Sequence, residues 1–471
     1  MTADNTIHNR DALDGLGEMQ EGTIDAIVSD PPYQLSSMVR ARPDQSGEGS
    51  YGKEVPFSRQ QSRVKAGFMG KTWDVLPDVP LLKGCLRVLK PGAFALWFMT
   101  PRQDSMLEFL TRLRNAGFVI SFSSINWAYA SGFPKAMNIS KAVDKRLGLE
   151  RKGIKKEGAG SKGNTFPLDK EYETGEPVSA AAGLQGSYGG MQLKPAYEPI
   201  IVSMKPLSEK TYVAQALSNR KGITWLDEAR IPYQSESDMV IDMVGKPRGA
   251  TSGLGKIMNG SLITNPPSPK GRFPANLIVS DRVLDTGHPS SSSSYRPPDK
   301  GGTGNSLVFA HPIGEDRGYD DSGDFSRYFS LDAWWEEKVK ELPKEARRTF
   351  PFLITPKAST GERNEGLSSM PDRYDVGVYG DGIGNVPKED GQRPNPYKNI
   401  HPTTKPISIT SWLITLVSEK GDLILDPFMG SGTTAIAAYE MGRRFMGFER
   451  EAEYWKIATE RIRHHKRQVR L

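Results

Sequence analysis

Apolar positions in the first part of the chain follow two alternating periods. Short apolar runs at 24–29, 93–98 and 119–127 read as buried strands. Between them, 79–89 and 103–116 carry apolar residues at helical spacing, the first stopped by Lys90-Pro91-Gly92 and the second by Gly117. Upstream, Ile7-His8-Asn9-Arg10-Asp11 reads as a strand that turns into a short helix at Asp11. Strands alternating with helices in this way predict an α/β fold with a doubly wound, largely parallel sheet. The rhythm stops near 150. From 151 to 397 the pattern is polar and rich in Gly, Pro and Ser, with strand-like pieces at 198–204 and 275–280 and helical pieces at 208–219 and 332–348. Regular structure resumes near 400: an apolar helix over 409–417, a short strand Leu423-Ile424-Leu425, a small-residue helix around Ala435, a strand 444–448 and a last helix carrying Tyr454 and Ile462.

Only about 20 residues follow Glu449, enough for one helix. Two strands do not make a stable sheet, so the missing ones must come from the first part of the chain. The expectation is one domain built from both ends, 1–150 and 398–471, with 151–397 inserted as a loop-rich region with little core of its own.

Composition narrows the class. The chain has 471 residues, 25% charged and 37% hydrophobic, and no apolar run approaches the ~20 residues of a membrane span. The first residues contain no apolar signal region, so a cytoplasmic protein of a bacterial or phage-infected cell is expected, with no membrane partner. A single cysteine, Cys85, excludes a disulfide framework and reads as helix core. No His/acid cluster argues for a metal, and His464-His465 reads as part of a solvated basic tail. The net charge of +6 favours a polyanionic partner. The basic loop 34–72 (Arg40, Arg42, Lys53, Arg59, Arg63, Lys65, Lys71), Arg151 to Lys156 and the C-terminal Arg/Lys run are candidates for phosphate contacts, or simply solvated faces.

Two motifs carry the chemistry. Asp30-Pro31-Pro32-Tyr33 closes the strand 24–29; two prolines force the chain out of the sheet in a fixed direction, at the edge where ligands bind in open α/β sheets. Alone it could be an ordinary strand-ending turn. The second is Asp426-Pro427-Phe428-Met429-Gly430-Ser431-Gly432-Thr433-Thr434, with Glu449 at the end of the next strand. A glycine turn opening a helix leaves N–H groups free for a ligand. An ATP loop needs Gly-Lys-Ser/Thr, and Gly432-Thr433-Thr434 lacks the lysine. A dinucleotide fits the glycine spacing, but Asp426 would repel its pyrophosphate. S-adenosylmethionine brings a cationic sulfonium instead of phosphate, which an aspartate at the strand end suits, and Glu449 suits two ribose hydroxyls. The balance leans to S-adenosylmethionine.

Taken together, these motifs resemble the β group of amino-directed DNA methyltransferases. The resemblance also rests on His401-Pro402-Thr403-Thr404-Lys405-Pro406 ahead of the cofactor strand and on Gly447-Phe448-Glu449 with Tyr454 after it. Ser131 to Lys135, Lys194 to Pro199 and Gly271 to Asn276 resemble members common in phages. The family often has Gln where this chain has Thr404. The resemblance implies a Rossmann-like methyltransferase domain and a target-recognition role for 151–397. It implies S-adenosylmethionine as cofactor, held by Asp11, His401, Thr403, Lys405, Asp426, Pro427, Phe428, Gly430, Ser431, Gly432, Thr433 and Glu449. Asp30, Pro31, Pro32 and Tyr33 become the catalytic turn. Asp30 and the Pro31 carbonyl would accept the two N–H bonds of the exocyclic amine, and Tyr33 would stack on a base flipped out of duplex DNA. Asp at the first motif position leans to N6 of adenine over N4 of cytosine; RNA or protein-amide methylation fits less well. Trp73 is expected in the core or bordering this pocket. A homodimer is compatible with the sequence, whereas a partner restriction endonuclease and the recognition sequence are not legible in it.

Overall fold

The computed structural model describes residues 4–34, 73–129, 138–149, 155–156, 172–173, 177, 179–189, 196–233, 268–279, 329–341, 358, 360–371 and 398–468. The strands in chain order are β1 (Thr6–Asn9), β2 (Ala26–Ser29), β3 (Phe94–Phe98), β4 (Ile125–Ala128), β5 (Lys155–Lys156), β6 (Tyr172–Glu173), β7 (Tyr197–Met204), β8 (Leu277–Val279), β9 (Leu423–Asp426) and β10 (Arg444–Glu449). The helices are α1 (Ala12–Gly17), α2 (Val79–Val88), α3 (Gln103–Ala116), α4 (Ile139–Arg146), α5 (Tyr212–Asn219), α6 (Leu331–Glu341), α7 (Thr360–Asn364), α8 (Ile407–Val417), α9 (Thr433–Glu440) and α10 (Ala452–Gln468). They form two compact units: Met1–Ala130 with Tyr197–Leu471, and Ser131–Ala196.

The larger unit carries an eight-stranded sheet in the order β1-β10-β9-β2-β3-β7-β4-β8. The pairs are parallel except for β7, which runs antiparallel to both β3 and β4. The central strand β9 thus comes from late in the chain and sits between β10 and β2, with Leu425 opposite Ile27. Along β2 the side chains alternate between two cores: Ala26 and Val28 join one cluster, Ile27 the other. On the Ile27 side lie α1, α2 and α3, packed through Leu16, Leu82, Cys85 and Phe109. On the other side lie α6, α8, α9 and α10, with Trp334, Trp335, Trp412 and Ile436. Every residue of α8 is buried, as its all-round apolar sequence requires. Two helix starts near the site carry side-chain caps: Asp78 accepts the Leu81 N–H at 3.0 Å for α2, and Asp11 the Leu13 N–H at 2.9 Å for α1.

The middle of the chain departs from expectation. β7 and β8 belong to the main sheet and α6 to its core, so the cuts expected at 150 and 398 do not coincide with the two units. The expected strand over 119–127 also shortens to β4. Ser121, Ser123 and Ser124 interrupt its apolar run, and Val119 makes only an isolated bridge to Met204. The smaller unit contains α4, capped by Asn138 at 2.9 Å from the Lys141 N–H, and the antiparallel pair β5–β6. There the buried Asp144 accepts the Ser179 hydroxyl at 2.5 Å.

The tail of α10 is only in part a solvated basic run. His465 is fully buried with Nδ1 2.9 Å from Glu440, and Arg461 is equally buried. Both occupy the inward face of an amphipathic helix, whereas Arg463 pairs with Glu460 at the surface. Cys85 is core, as its setting implied. Among the described residues no helix is long and apolar enough to cross a membrane, and no group of His, Cys, Asp and Glu could hold a metal ion. The loop 34–72 beyond Gln34, apart from its end at Trp73, and the motif Ser131 to Lys135 lie outside the described residues.

Candidate active site

At the carboxyl ends of β2 and β9 the sheet opens into a cavity of about 410 Å³, within the size range of small-molecule sites. Asp30, Pro31, Pro32 and Tyr33 line one side; Asp426 to Ser431 and Glu449 line another. The topology makes this meeting possible. β2 and β9 are sheet neighbours, so the turns leaving them open side by side although nearly four hundred residues separate them.

On the β2 side, Asp30 is held by side chains. Tyr33 donates its hydroxyl to Oδ1 at 2.5 Å, and the Lys405 ammonium donates to Oδ2 at 2.8 Å. Lys405 also reaches the Tyr33 hydroxyl at 3.1 Å and lies 3.3 Å from Oε2 of Glu198 on β7. Tyr129 donates to Oε1 of Glu198 at 3.2 Å. Burial pushes the Asp30 carboxyl up from its usual range, with Lys405 working against it. Burial disfavours the Lys405 ammonium, yet Asp30 and Glu198 outweigh it and hold its pKa above the ordinary value. The ammonium also sits 5.3 Å from the Tyr33 ring centre and 5.2 Å from that of Phe98.

On the β9 side, backbone N–H groups share the holding with short hydroxyl side chains. Asp426 accepts the Phe428 N–H at 2.9 Å and the Ser29 hydroxyl at 2.5 Å, tying the glycine turn to β2. Glu449 accepts the Gly430 N–H at 2.8 Å on one oxygen and the Glu451 N–H at 2.8 Å on the other. Burial raises Asp426 to about 6 and Glu449 to about 7, against these hydrogen bonds. Gly430 and Gly432 adopt φ of +52° and +85°. A β-carbon on Gly430 would fall 2.7 Å from the His401 ring, so both backbone and space call for glycine. Arg461 supports the turn from below, donating to the Ser431 carbonyl at 2.7 Å and to the Glu362 carbonyl at 3.2 Å.

The third wall is the 401–405 segment. His401 lies in contact distance of Tyr454 (ring centres 4.7 Å) and stacks at 6.4 Å on Trp73. Burial, followed by Arg363, depresses its pKa to about 3, leaving a neutral imidazole. Its Nδ1 is 3.1 Å from the Thr403 carbonyl. Thr404 meets the Ser431 hydroxyl at 3.2 Å, and Thr433 donates to the Lys405 carbonyl at 3.3 Å.

All the residues singled out from sequence except Gly432 line the cavity, and Gly432 caps α9 beneath it. Lys405 was expected on the cofactor side, but its side chain extends to Asp30 instead. Trp73 borders the cavity. Sequence reasoning missed Glu198 and Tyr129 as parts of the site. Glu198 comes from β7 and Tyr129 from just after β4, both beyond β3 in the sheet; the signal available was the motif Lys194 to Pro199, which contains Glu198 but was given no role in the site.

This fold and cavity define a doubly wound α/β protein with an acidic small-molecule site. The model of the N6/N4 DNA methylase family matches residues 24–460, and the chain belongs to that family. Over 62 residues it is 50% identical to the type II methyltransferase M2.DpnII of Streptococcus pneumoniae and 48% identical to M2.LlaDCHI of Lactococcus lactis subsp. cremoris. Each match covers 13% of this chain and 23% of the relative, so the chain spans under a quarter of the length of these curated relatives. Among solved structures, PvuII DNA methyltransferase (cytosine-N4-specific) aligns at 12% identity and a TM-score of 0.38, covering 100% of this chain and 94% of that one. The complex of M1.HpyAVI with S-adenosylmethionine aligns at 12% identity and 0.33, covering 97% and 98%.

Proposed function

We propose that this protein transfers a methyl group from S-adenosylmethionine to an exocyclic amino nitrogen in duplex DNA, N6 of adenine in the favoured reading. The observation that carries the proposal is the shared cavity: a rigid Asp-Pro-Pro-Tyr turn faces a glycine turn with a buried carboxylate behind it. The lining fits the cofactor. Asp11, Asp30, Asp426 and Glu449 give it an acidic character that suits a cation and ribose hydroxyls and repels phosphate. Glu449 keeps further lone pairs on both oxygens after accepting its backbone bonds.

When bound, S-adenosylmethionine supplies an electrophilic methyl on a positively charged sulfur. An exocyclic amine is a weak nucleophile because its lone pair is delocalised into the base. Asp30 and the Pro31 carbonyl, accepting its two N–H bonds, favour a more tetrahedral nitrogen whose lone pair can attack. Asp30 and the Pro31 carbonyl hold this nitrogen in line for the methyl carbon that the bound cofactor would supply, the carbon–sulfur electron pair leaving with sulfur. The methylated nitrogen then sheds one proton, for which the Asp30 carboxylate is the acceptor within reach. Tyr33, anchored through its hydroxyl to Asp30, presents an aromatic face for a flipped base. The prolines keep this turn stiff, which serves orientation.

The same geometry accepts N4 of cytosine. Incubating the protein with labelled S-adenosylmethionine and unmethylated duplex DNA, then digesting to nucleosides, separates the two. Label in N6-methyl-2′-deoxyadenosine is expected; label only in N4-methyl-2′-deoxycytidine would correct the base, and label in neither would sink the reading. The central region 151–397 is proposed to read the target sequence, and a soluble cytoplasmic setting follows from a DNA substrate.

A further inference from the structure

The Asp30 carboxylate already has a donor on each oxygen, Tyr33 on one and Lys405 on the other. An incoming amino group must therefore displace or share with one of them. Lys405 has somewhere to go, because its ammonium lies between two carboxylates, 2.8 Å from Asp30 and 3.3 Å from Glu198. Glu198 stands near the start of β7, the strand inserted antiparallel between β3 and β4, and its other oxygen is fixed by the Tyr129 hydroxyl at 3.2 Å. All of these side chains are at least four-fifths buried where their exposure bears on the contact: 10% for Lys405, 20% for Asp30 and 16% for Glu198. Water is therefore a poor substitute for either carboxylate.

We propose that Glu198 is a positioning residue for the methyl transfer, acting through Lys405: it draws the ammonium off Asp30 so that one carboxylate oxygen can take the substrate amine. The proposal rests on the reading of Asp30 given above. Without Glu198, Lys405 has Asp30 as its one carboxylate partner among the described residues and competes with the amine for it. The charged and titratable groups facing Asp30 are Lys405, Tyr33, Glu198 and, from β9, Asp426. Glu198 is a like charge to Asp30, so removing it lets Lys405 hold Asp30 ionised to lower pH. Two effects of opposite appearance thus belong together, a slower reaction and an acid limb displaced downwards.

The test is Glu198→Gln, which keeps the shape and one acceptor oxygen for the Tyr129 hydroxyl but removes the charge and the acceptor facing Lys405. Single-turnover methyl transfer from labelled S-adenosylmethionine to unmethylated duplex DNA is followed across pH, with calorimetric cofactor titration as the check on folding. The expected result is a rate about tenfold lower at the optimum, corresponding to one altered hydrogen-bonding partnership. The acid limb moves to lower pH, and cofactor affinity and KM for DNA stay within about twofold. Glu198→Asp should recover part of the rate. Tyr129→Phe, which removes only the hydroxyl holding Glu198, should lower the rate by a smaller factor without affecting cofactor binding. An unchanged rate and limb in Glu198→Gln would overturn the proposal, and so would a rate loss with an unmoved limb. Asp30→Ala in the same assay keeps the two readings apart: activity retained there refutes the role of Asp30 itself, whereas activity lost there with Glu198→Gln unaffected refutes only the role of Glu198.

Discussion

The two sides of the cavity hold their carboxylates in different ways. Glu449 is fixed on both oxygens by backbone N–H groups of the glycine turn and the start of α10, and Asp426 by the Phe428 N–H together with the short hydroxyl side chains of Ser29 and Thr434, none of which can move far without unmaking the turn or the sheet. Asp30 is fixed by the ends of two side chains, Tyr33 and Lys405, each with a second partner nearby. The difference matches the tasks proposed for them. A cofactor of constant shape is served by a rigid cradle. A reacting amine, which changes its bonding and loses a proton, is served by contacts that can be exchanged.

The contrast predicts distinct failures. Asp30→Ala should cost about 10³-fold in methyl transfer, the scale of a lost proton acceptor, with cofactor binding intact by calorimetry. A comparable loss of cofactor affinity would break the division between the two sides. Glu449→Gln should do the reverse, weakening cofactor binding about 10- to 100-fold, as expected for charged hydrogen bonds. With the Glu449 pKa near 7 and the ionised form the better acceptor of ribose hydroxyls, affinity should rise with pH. The Kd should fall about tenfold between pH 6 and pH 8, and Glu449→Gln should flatten that slope. Arg461→Met removes the support under Ser431 and should cost about 2 kcal/mol of stability by thermal denaturation, with cofactor affinity reduced less than tenfold. Tyr33→Phe keeps the ring and loses only the hydroxyl on Asp30, so methyl transfer should fall just about threefold.

Much of the cavity lining was readable because its constraints are local. Two prolines after an apolar run, and glycines at the start of a helix, report backbone geometry that few other residues permit. The joining of the two chain ends followed from counting strands. What escaped was non-local. The apolar run within Tyr197 to Met204 marks a strand, but nothing in it tells which neighbours it will have, and its antiparallel seat between β3 and β4 brings Glu198 to Lys405. Lys405 is a cofactor residue only through the family resemblance, whereas the position of its ammonium depends on two carboxylates distant in the chain, Asp30 after β2 and Glu198 on β7. His465 and Arg461 looked solvated because they sit in a basic run; helical geometry turned them inward, where Glu440 and the Ser431 carbonyl receive them.

The seat of β9 between β2 and β10 also sets a timetable for biosynthesis. β2 pairs on one side with β3, about 70 residues later, but its other neighbour is β9 at residues 423–426. At ~5–20 residues per second, the open edge of β2 waits roughly 20–80 s on the ribosome for its partner. Exposed strand edges of this kind invite pairing with other chains. Folding of this sheet is therefore non-local by construction and slow by topology, and the cavity can form only after β9 has docked.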